Sequence, residues 1–558
     1  MNKWRLVSGS VPFAVLANLI PVFAIAGAGI VPGPAAPVNS NAMTDRITDR
    51  RCEIGIDSTG QIVVVWHADP TGPNAPYGTD AEIFVARSTD YGATWTAPVP
   101  LNSNALNDTA YDDAPAVAGD GSGNWVSVWQ STDDPGWTAG RYNDIFLSRS
   151  SDGGATWKKM AKLNSADQPD NRIDSLAKIA TDGIGHWVVV WNSMPEVLHV
   201  RSYREILVSR SSNNGRTWSA PALIHEAIAA DLADETFPRI VTDGRGTWLT
   251  IWQSEVTDGA DDDDVDIRVS RSTDNGVTWS TPIPINTNHA LEDNDNTYPW
   301  LTTDRRGNWL AAWMTLDEFD GVPRSRPDIY VAQSFDNGQT WSDPIDVTND
   351  SASRDYIDTY PTLDADGAGN WVVCWTRQRV LSTGLKLDPD IYFSHSRNGG
   401  ATWTSPALFN SMGTDDSGLD WDPCLATDRN SHWTAVWTSN DVLPGSAGDD
   451  DDILHADFTL PQICVERPNG GQQLVIGTKK SIRWNAVGDT GEFVRILLYQ
   501  NGQKVRRIKN ATPNDGQCPW KISPEKFWPG TGFQIRIVPL SASAASDMSD
   551  ATFNLVMP

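Results

Sequence analysis

At 558 residues, with 71 Asp and Glu against 43 Lys and Arg, the chain carries a net charge of −28. A surface this acidic repels phosphate backbones and anionic lipid, which argues against nucleic acid as a partner. Five cysteines in that length are too few to build the fold from disulfides, and no zinc-type Cys or His spacing occurs.

The chain opens on a short basic head, Met1 to Arg5, followed by an apolar run from Val11 to Val31. Ala24-Ile25-Ala26 supplies the small-residue pattern of a signal-peptidase site, so residues 1–26 are predicted to be a signal peptide. The alternative is a membrane anchor, since the run approaches spanning length. Gly27, Gly29, Pro32, Gly33 and Pro34 just after the site favour cleavage, and no later segment is long and apolar enough to span. The expected location is therefore outside the cell or on its surface, with no transmembrane span after cleavage.

Self-similarity dominates the rest of the sequence. An octet S-x-[DN]-x-G-x-T-W starts at Ser88, Ser150, Ser211, Ser272, Ser334 and Ser396, at intervals of 61 or 62 residues. It reads as a hairpin turn: the Asp or Asn bonds backbone amides, the Gly takes a positive φ, and the Trp fastens the turn to its sheet. A second motif, D-x-x-x-x-W-x-x-x-W, runs from Asp57, Asp120, Asp182, Asp243, Asp304, Asp366 and Asp428, with Ile62 replacing the inner Trp of the first copy. It predicts a turn followed by an alternating, half-buried strand. A third strand enters each octet, as in Asp144 to Ser148, and its seventh copy, Asp452-Ile453-Leu454-His455, has no octet after it.

The missing piece lies at the other end of the repeat region. Each octet runs into an outer strand such as Ala97 to Asn104, and Ala36-Pro37-Val38-Asn39-Ser40-Asn41 matches it before any complete repeat has begun. This predicts that an N-terminal strand completes the last unit and leaves no unpaired edge there. Four strands per unit and seven units fit residues 35–460, so the expected fold is all-β: a seven-bladed β-propeller of four-stranded blades. Residues 462–558 change pattern. Pro468-Asn469-Gly470-Gly471, the alternating Val494 to Leu498, the turn Asn501-Gly502, and Trp484 and Trp520 read as a small antiparallel β-sandwich. That segment holds 12 Lys and Arg against 7 Asp and Glu, and Cys464 and Cys518, both within it, are a candidate pair.

Chemistry is expected in departures from the repeat. Counting back from the residue that opens each inner strand, the third position holds Asp49, Asp112, Asp174, Glu235, Asn296, Asp358 and Asp420. The seventh holds Asp45, Asp108, Asp170, Asp231, Glu292, Arg354 and Asp416. One reading is that each carboxylate caps loop amides of its own blade. The other is a carboxylate-lined mouth that holds calcium, with Asp112, Asp174, Glu235, Asp358 and Asp420 as candidate ligands and the runs Asp261–Asp264 and Asp449–Asp452 nearby. Trp137, Trp300 and Trp421 stand outside both Trp motifs, and Phe237, Tyr298 and Tyr360 precede the inner-strand prolines of three consecutive units. Aromatic faces around a polar mouth suit stacking on sugar rings, which makes these six the candidate ligand-binding residues. His199, Arg201, Arg204, Arg324 and Arg326 are basic exceptions in acidic surroundings and suit a carboxylate or sulfate.

The octet closely resembles the Asp box of bacterial neuraminidase repeats, and the repeat region as a whole resembles the sialidase superfamily. That resemblance implies a β-propeller acting on or binding extracellular glycans. Sialidases hold the substrate carboxylate with three arginines and use a Tyr nucleophile with a Glu partner and an Asp acid/base. Carried onto this sequence, it points to Arg51, Glu53, Arg239, Tyr298 and Tyr360 as catalytic candidates. The strings involved are Arg50-Arg51-Cys52-Glu53 and Phe237-Pro238-Arg239-Ile240, and six of the seven inner strands lack an Arg just after their opening residue. The C-terminal segment resembles the Ig-like domain of the Ser/Thr-rich GPI-anchored family of yeast cell-wall assembly proteins, which implies attachment to a surface or cell-wall polysaccharide. Three readings stay open: a glycan-binding propeller acting as a monomer, a glycoside hydrolase on the same scaffold, and a structural envelope protein.

Overall fold

The computed structural model describes residues 32–39, 47–57, 59–70, 80–105, 109–133, 142–164, 172–195, 203–225, 233–256, 265–286, 295–316, 318–319, 322–323, 326–348, 355–380, 386–409, 418–429, 431–441, 450–487, 490–540, 546–549 and 551–558. The predicted signal peptide, the seventh-position residues (Asp45, Asp108, Asp170, Asp231, Glu292, Arg354 and Asp416), Asp261–Asp264, Asp449, Trp137, His199, Arg201 and Arg324 lie outside the described residues.

The described chain is all-β. Seven of its sheets have four antiparallel strands, and six of these take their strands in chain order from one stretch of sequence. The second sheet shows the pattern: Asp112–Gly119, Trp125–Ser131, Asp144–Ser150 and Ala161–Lys162. The seventh sheet combines both ends of the repeat region, since Ala36–Pro37 pairs with Asp452–Thr459, outside His432–Ser439 and Asp420–Thr427. The first strands contact one another in order around the set, and that of the seventh sheet contacts that of the first. The arrangement is β-propeller-like. A short hairpin, Glu318–Phe319 with Val322–Pro323, is added in the fifth repeat.

The turns behave as the sequence predicts. In the first octet Asp90 Oδ1 accepts from the Thr94 amide at 2.9 Å and Asp90 Oδ2 from the Thr94 hydroxyl at 2.6 Å, while Gly92 sits at φ 83°. The second-motif turn closes likewise: Asp120 Oδ1 accepts from the amides of Ser122 and Asn124 at 2.7 and 3.0 Å.

The Trp strands differ from expectation. Every residue of Trp125–Ser131 is buried, not every second one. The reason is that each such strand lies inside its sheet and both faces pack on a neighbouring sheet, so alternation of exposure has no solvent side to report. All thirteen tryptophans of this motif are at most 2% exposed. The apolar clusters of the repeat region sit between sheets, as where Val38, Ile62, Val64 and Trp66 pack with Cys424, Val436 and Ile453.

Polar staples repeat at these joints. Asn102, just past the outer strand of the first sheet, donates to Glu82 of its own sheet and, at 2.7 Å, to Asp112 of the next. Asn164 does the same to Asp144 and Asp174. Asn39 does it between the seventh sheet and the first, donating to Asp452 at 2.8 Å and Asp49 at 2.9 Å. The backbone repeats the match: the amide of Asp112 donates to Ala81 O at 3.1 Å, and that of Asp49 to Asp451 O at 2.8 Å.

From residue 462 the chain forms a three-stranded sheet and a six-stranded sheet around their own core, which includes Trp484, Trp520, Phe533 and Phe553. Cys464 pairs across its strand with Asn485, and Cys518 with Ile482, and both are free thiols. Among the described residues no helix is long and apolar enough to cross a membrane.

Candidate functional site

The first strands of the seven sheets share one irregularity. Each contains a β-bulge, and the extra residue takes a left-handed backbone: Arg51, Ala114, Leu176, Phe237, Tyr298, Tyr360 and Asp422, with φ between 50° and 56°. None is glycine. A left-handed conformation costs an L-residue about 1–2 kcal/mol, so the ring is held there by its surroundings. Side chains of the preceding sheet supply part of that hold: Gln130 Oε1 accepts from the Leu176 amide at 3.0 Å, and Gln253 Oε1 from the Tyr298 amide at 3.2 Å. Replacing Ala114 by Gly tests the strain, because almost no side chain is lost. We expect stability to rise by about 1 kcal/mol or less once the unfolded-state entropy of glycine is offset, measured by urea unfolding. A loss of stability would argue against strain at this ring.

The bulge re-aims these residues into a central cavity of about 340 Å³. Phe237, Tyr298 and Tyr360 form a continuous aromatic arc, with ring centroids 4.7 and 4.9 Å apart. Two residues further along the strands comes a second ring, from which Glu53, Lys178, Arg239, Trp300 and Cys424 line the cavity. Glu53 of the first sheet accepts from Lys178 of the third and, at 2.7 Å, from Arg239 of the fourth. The Arg239 guanidinium lies 3.5 Å over the Trp300 ring of the fifth, a cation–π contact. Charged groups from opposite sides therefore meet across the axis.

The electrostatics separate the two carboxylates. Burial alone would raise the Glu53 carboxyl, but Lys178 and Arg239 outweigh it and hold it below its usual range. Asp422 is raised: its burial exceeds the counteracting pull of Arg51, Arg239 and Lys178. Burial pushes the Tyr360 phenol up to about 12, helped by Tyr298 and the charge of Asp422. The Lys178 ammonium is lowered by burial and by Arg239 beside it, against the pull of Glu53.

A smaller pocket of about 310 Å³ adjoins the cavity and shares Arg51 and Asp422 with it. His67 is buried there, with Nε2 3.0 Å from Asp69 and Nδ1 3.0 Å from Asp113. Burial opposes its charge, yet Asp113 and Asp69 raise the imidazole to about 9. Asp113 in turn pairs with Arg51 at 2.5 Å. Tyr111 stands edge-on to His67, and Trp421 lines the same pocket.

All five catalytic candidates (Arg51, Glu53, Arg239, Tyr298 and Tyr360) and the binding candidates Phe237 and Trp300 thus share the main cavity, with Trp421 beside it. The acids read as calcium ligands are not brought together. Asp112, Glu235, Asp358 and Asp420 each accept from the indole of the Trp 17 residues on in their own sheet, and Asp174 from Asn164. Asp358 also takes two bonds from Arg377, at 2.6 and 2.8 Å, and burial pushes the Asp420 carboxyl up to about 8. These are the staples between and within sheets, and no group of three metal-ligating side chains occurs among the described residues. Arg204 pairs with Asp234 at 2.5 Å. Sequence reasoning missed Lys178, Asp422, His67 and Asp113. A signal existed for the first: tabulating the residue after each strand opening, rather than looking there for Arg alone, yields Glu53, Lys178, Arg239 and Trp300 together.

No family model matches the chain. In sequence it is 26% identical over 190 residues to a sialidase of Bacteroides fragilis (strain YCH46), covering 30% of this chain and 34% of that one. It is 27% identical over 191 residues to a sialidase of Paraclostridium sordellii, covering 30% and 45%. Against a sialidase of Clostridium perfringens it is 27% identical over 332 residues, covering 54% and 81%. The chain thus spans less than half the length of the first two. Solved structures similar to it include a Hadza microbial sialidase, at 17% identity and a TM-score of 0.41 over 76% of this chain and 68% of that one. They also include the α-L-arabinanase of Penicillium chrysogenum, at 12% identity and a TM-score of 0.42 over 77% and 98%.

Proposed function

We propose that the chain is a secreted or cell-surface, sialidase-like propeller of seven blades that binds extracellular glycans at its central cavity. In this reading residues 35–460 are the propeller, closed by the Ala36–Pro37 strand, and 462–558 an Ig-like sandwich. The octets are its Asp boxes, and the sialidase relatives fit that scaffold. The observation that carries the binding reading is the arc of Phe237, Tyr298 and Tyr360. Three consecutive sheets hold large aromatic rings in a costly backbone conformation so that they face one cavity. Aromatic faces match the C–H faces of sugar rings, and Arg51, Glu53 and Arg239 supply hydrogen bonds at fixed positions. The test is a glycan array followed by titration calorimetry on Tyr298→Ala and Trp300→Ala. Each variant is expected to lose about tenfold or more in affinity for the best glycan, about 1.4 kcal/mol. Silence across the array, or unchanged affinity in both variants, would sink the reading.

One observation favours glycoside hydrolysis as a second reading. Glu53 is held ionised while Asp422 is driven toward its neutral acid in the same cavity, the division of labour that acid and base carboxylates need. Release of a leaving group from a panel of fluorogenic glycosides, lost in Asp422→Asn, would support it.

A further inference from the structure

The C-terminal sandwich carries a feature that costs it stability. In its three-stranded sheet Arg467 lies directly opposite Arg483, and Lys479 directly opposite Lys521. The core takes Ile482, Trp484, Cys518 and Trp520, so by the two-residue alternation of strands Lys479, Arg483 and Lys521 face outward. All four basic residues are exposed. Like charges directly opposite each other destabilise a sheet. None of the four makes an ion pair among the described residues, and Glu466, the carboxylate next to Arg467, makes none with them. Residues 462–558 hold 12 basic against 7 acidic residues, on a chain whose net charge is −28.

We propose that this sheet face is a docking site for an extended anionic polymer, a chain of repeating carboxylate or phosphate groups, separate from the central cavity. Two uncompensated pairs on a face three strands wide, about 10 Å across from the strand spacing, suit a single polymer strand. A second copy of this protein is disfavoured as the occupant, because two molecules each of charge −28 repel. An anionic bilayer is disfavoured for the same reason: it would bring a charged plane within screening distance of the acidic body, which a thin chain does not. The same repulsion orients the complex, with the polymer on the sandwich and the acidic sheets turned away from it.

The experiment titrates the full chain with polygalacturonate and, separately, with a glycerol-phosphate polymer, at low and high salt. The comparison is the double variant Arg483→Ser with Lys521→Ser, which leaves one charge in each pair. Binding is expected to at least one polymer and to weaken steeply with salt. The variant should bind about tenfold or more weakly, with a salt dependence shallower by about two released counterions. Its melting temperature should stay level or rise, because each like-charge pair is gone, and this keeps a binding loss distinct from unfolding. Which polymer binds identifies carboxylate or phosphate as the recognised group. The proposal is overturned if neither polymer binds, if the variant binds as well as the parent, if anionic phospholipid vesicles bind more tightly than both polymers, or if salt-reversible self-association accounts for the signal.

Discussion

Removing residues 35–39 is expected to cost the repeat region about 5 kcal/mol or more of stability, a larger effect than any single substitution in the ring should have. Val38 is fully buried among residues of the first and seventh sheets, and burying a valine contributes about 1.5–3 kcal/mol. Asn39 donates to two buried carboxylates, Asp49 and Asp452, and accepts from the Ile453 amide at 3.3 Å. Hydrogen bonds to charged groups contribute about 1.5–3 kcal/mol each. The truncation also exposes the edge of Asp452–Thr459, which invites pairing between molecules. Asn39→Ala alone should cost about 2–4 kcal/mol, since it removes one hydrogen bond from each of two buried carboxylates. Urea unfolding of the full and truncated chains measures this. Coincident unfolding curves would mean that the seventh sheet does not need its N-terminal strand.

Stability should also fall on the alkaline side, through His67. Its folded value of about 9 lies above the 6.5 of the unfolded chain, so the protonated ring favours the fold. That contribution is fully present below pH 6.5 and is lost as the pH rises through 9. The difference corresponds to about 3 kcal/mol, an upper bound for a buried group between two carboxylates. The groups facing it are Asp69, Asp113, Arg50, Arg51, Tyr111 and Asp422. Asp69 and Asp113 are lowered, Asp69 chiefly by its bond to His67, so acid removes the same network from the other side. His67→Gln should therefore melt lower than the parent at pH 6 and converge with it above pH 9. Parallel curves over that range would show that the imidazole is not charged in the fold.

The parts of the fold that were legible are those whose determinants are local. An octet fixes its turn through Ser88, Asp90, Gly92 and Thr94, all within a few residues, so spacing alone reveals it. The closing strand was legible for a related reason: Val38-Asn39 occupies the place of Leu101-Asn102, and the Asn makes the same bridging bonds in both. Burial of the Trp strands was misread because exposure depends on what packs against each face, and sequence periodicity does not carry that. Sequence left the acidic ring open between two readings, because the bulge that sets where its side chains go is not visible in the residue pattern. In a regular strand Asp112 and Ala114 would share a face, but the extra residue sends Ala114 to the cavity and leaves Asp112 bonded to Trp129 and Asn102. The candidate site was approached through the aromatics before proline; of its charged floor Glu53 and Arg239 were named but Lys178 was not, because the three come from three sheets and meet only across the axis.

The ring of left-handed residues has an evolutionary side. Each bulge is held by its own strand and its neighbour, while the side chain it presents faces the cavity. The seven positions read Arg, Ala, Leu, Phe, Tyr, Tyr and Asp around the axis. They behave as sockets in a common frame, each open to replacement one at a time. Such a frame lets the cavity lining change by single substitutions while the architecture stays constant, and it offers the same seven positions to anyone redesigning the mouth.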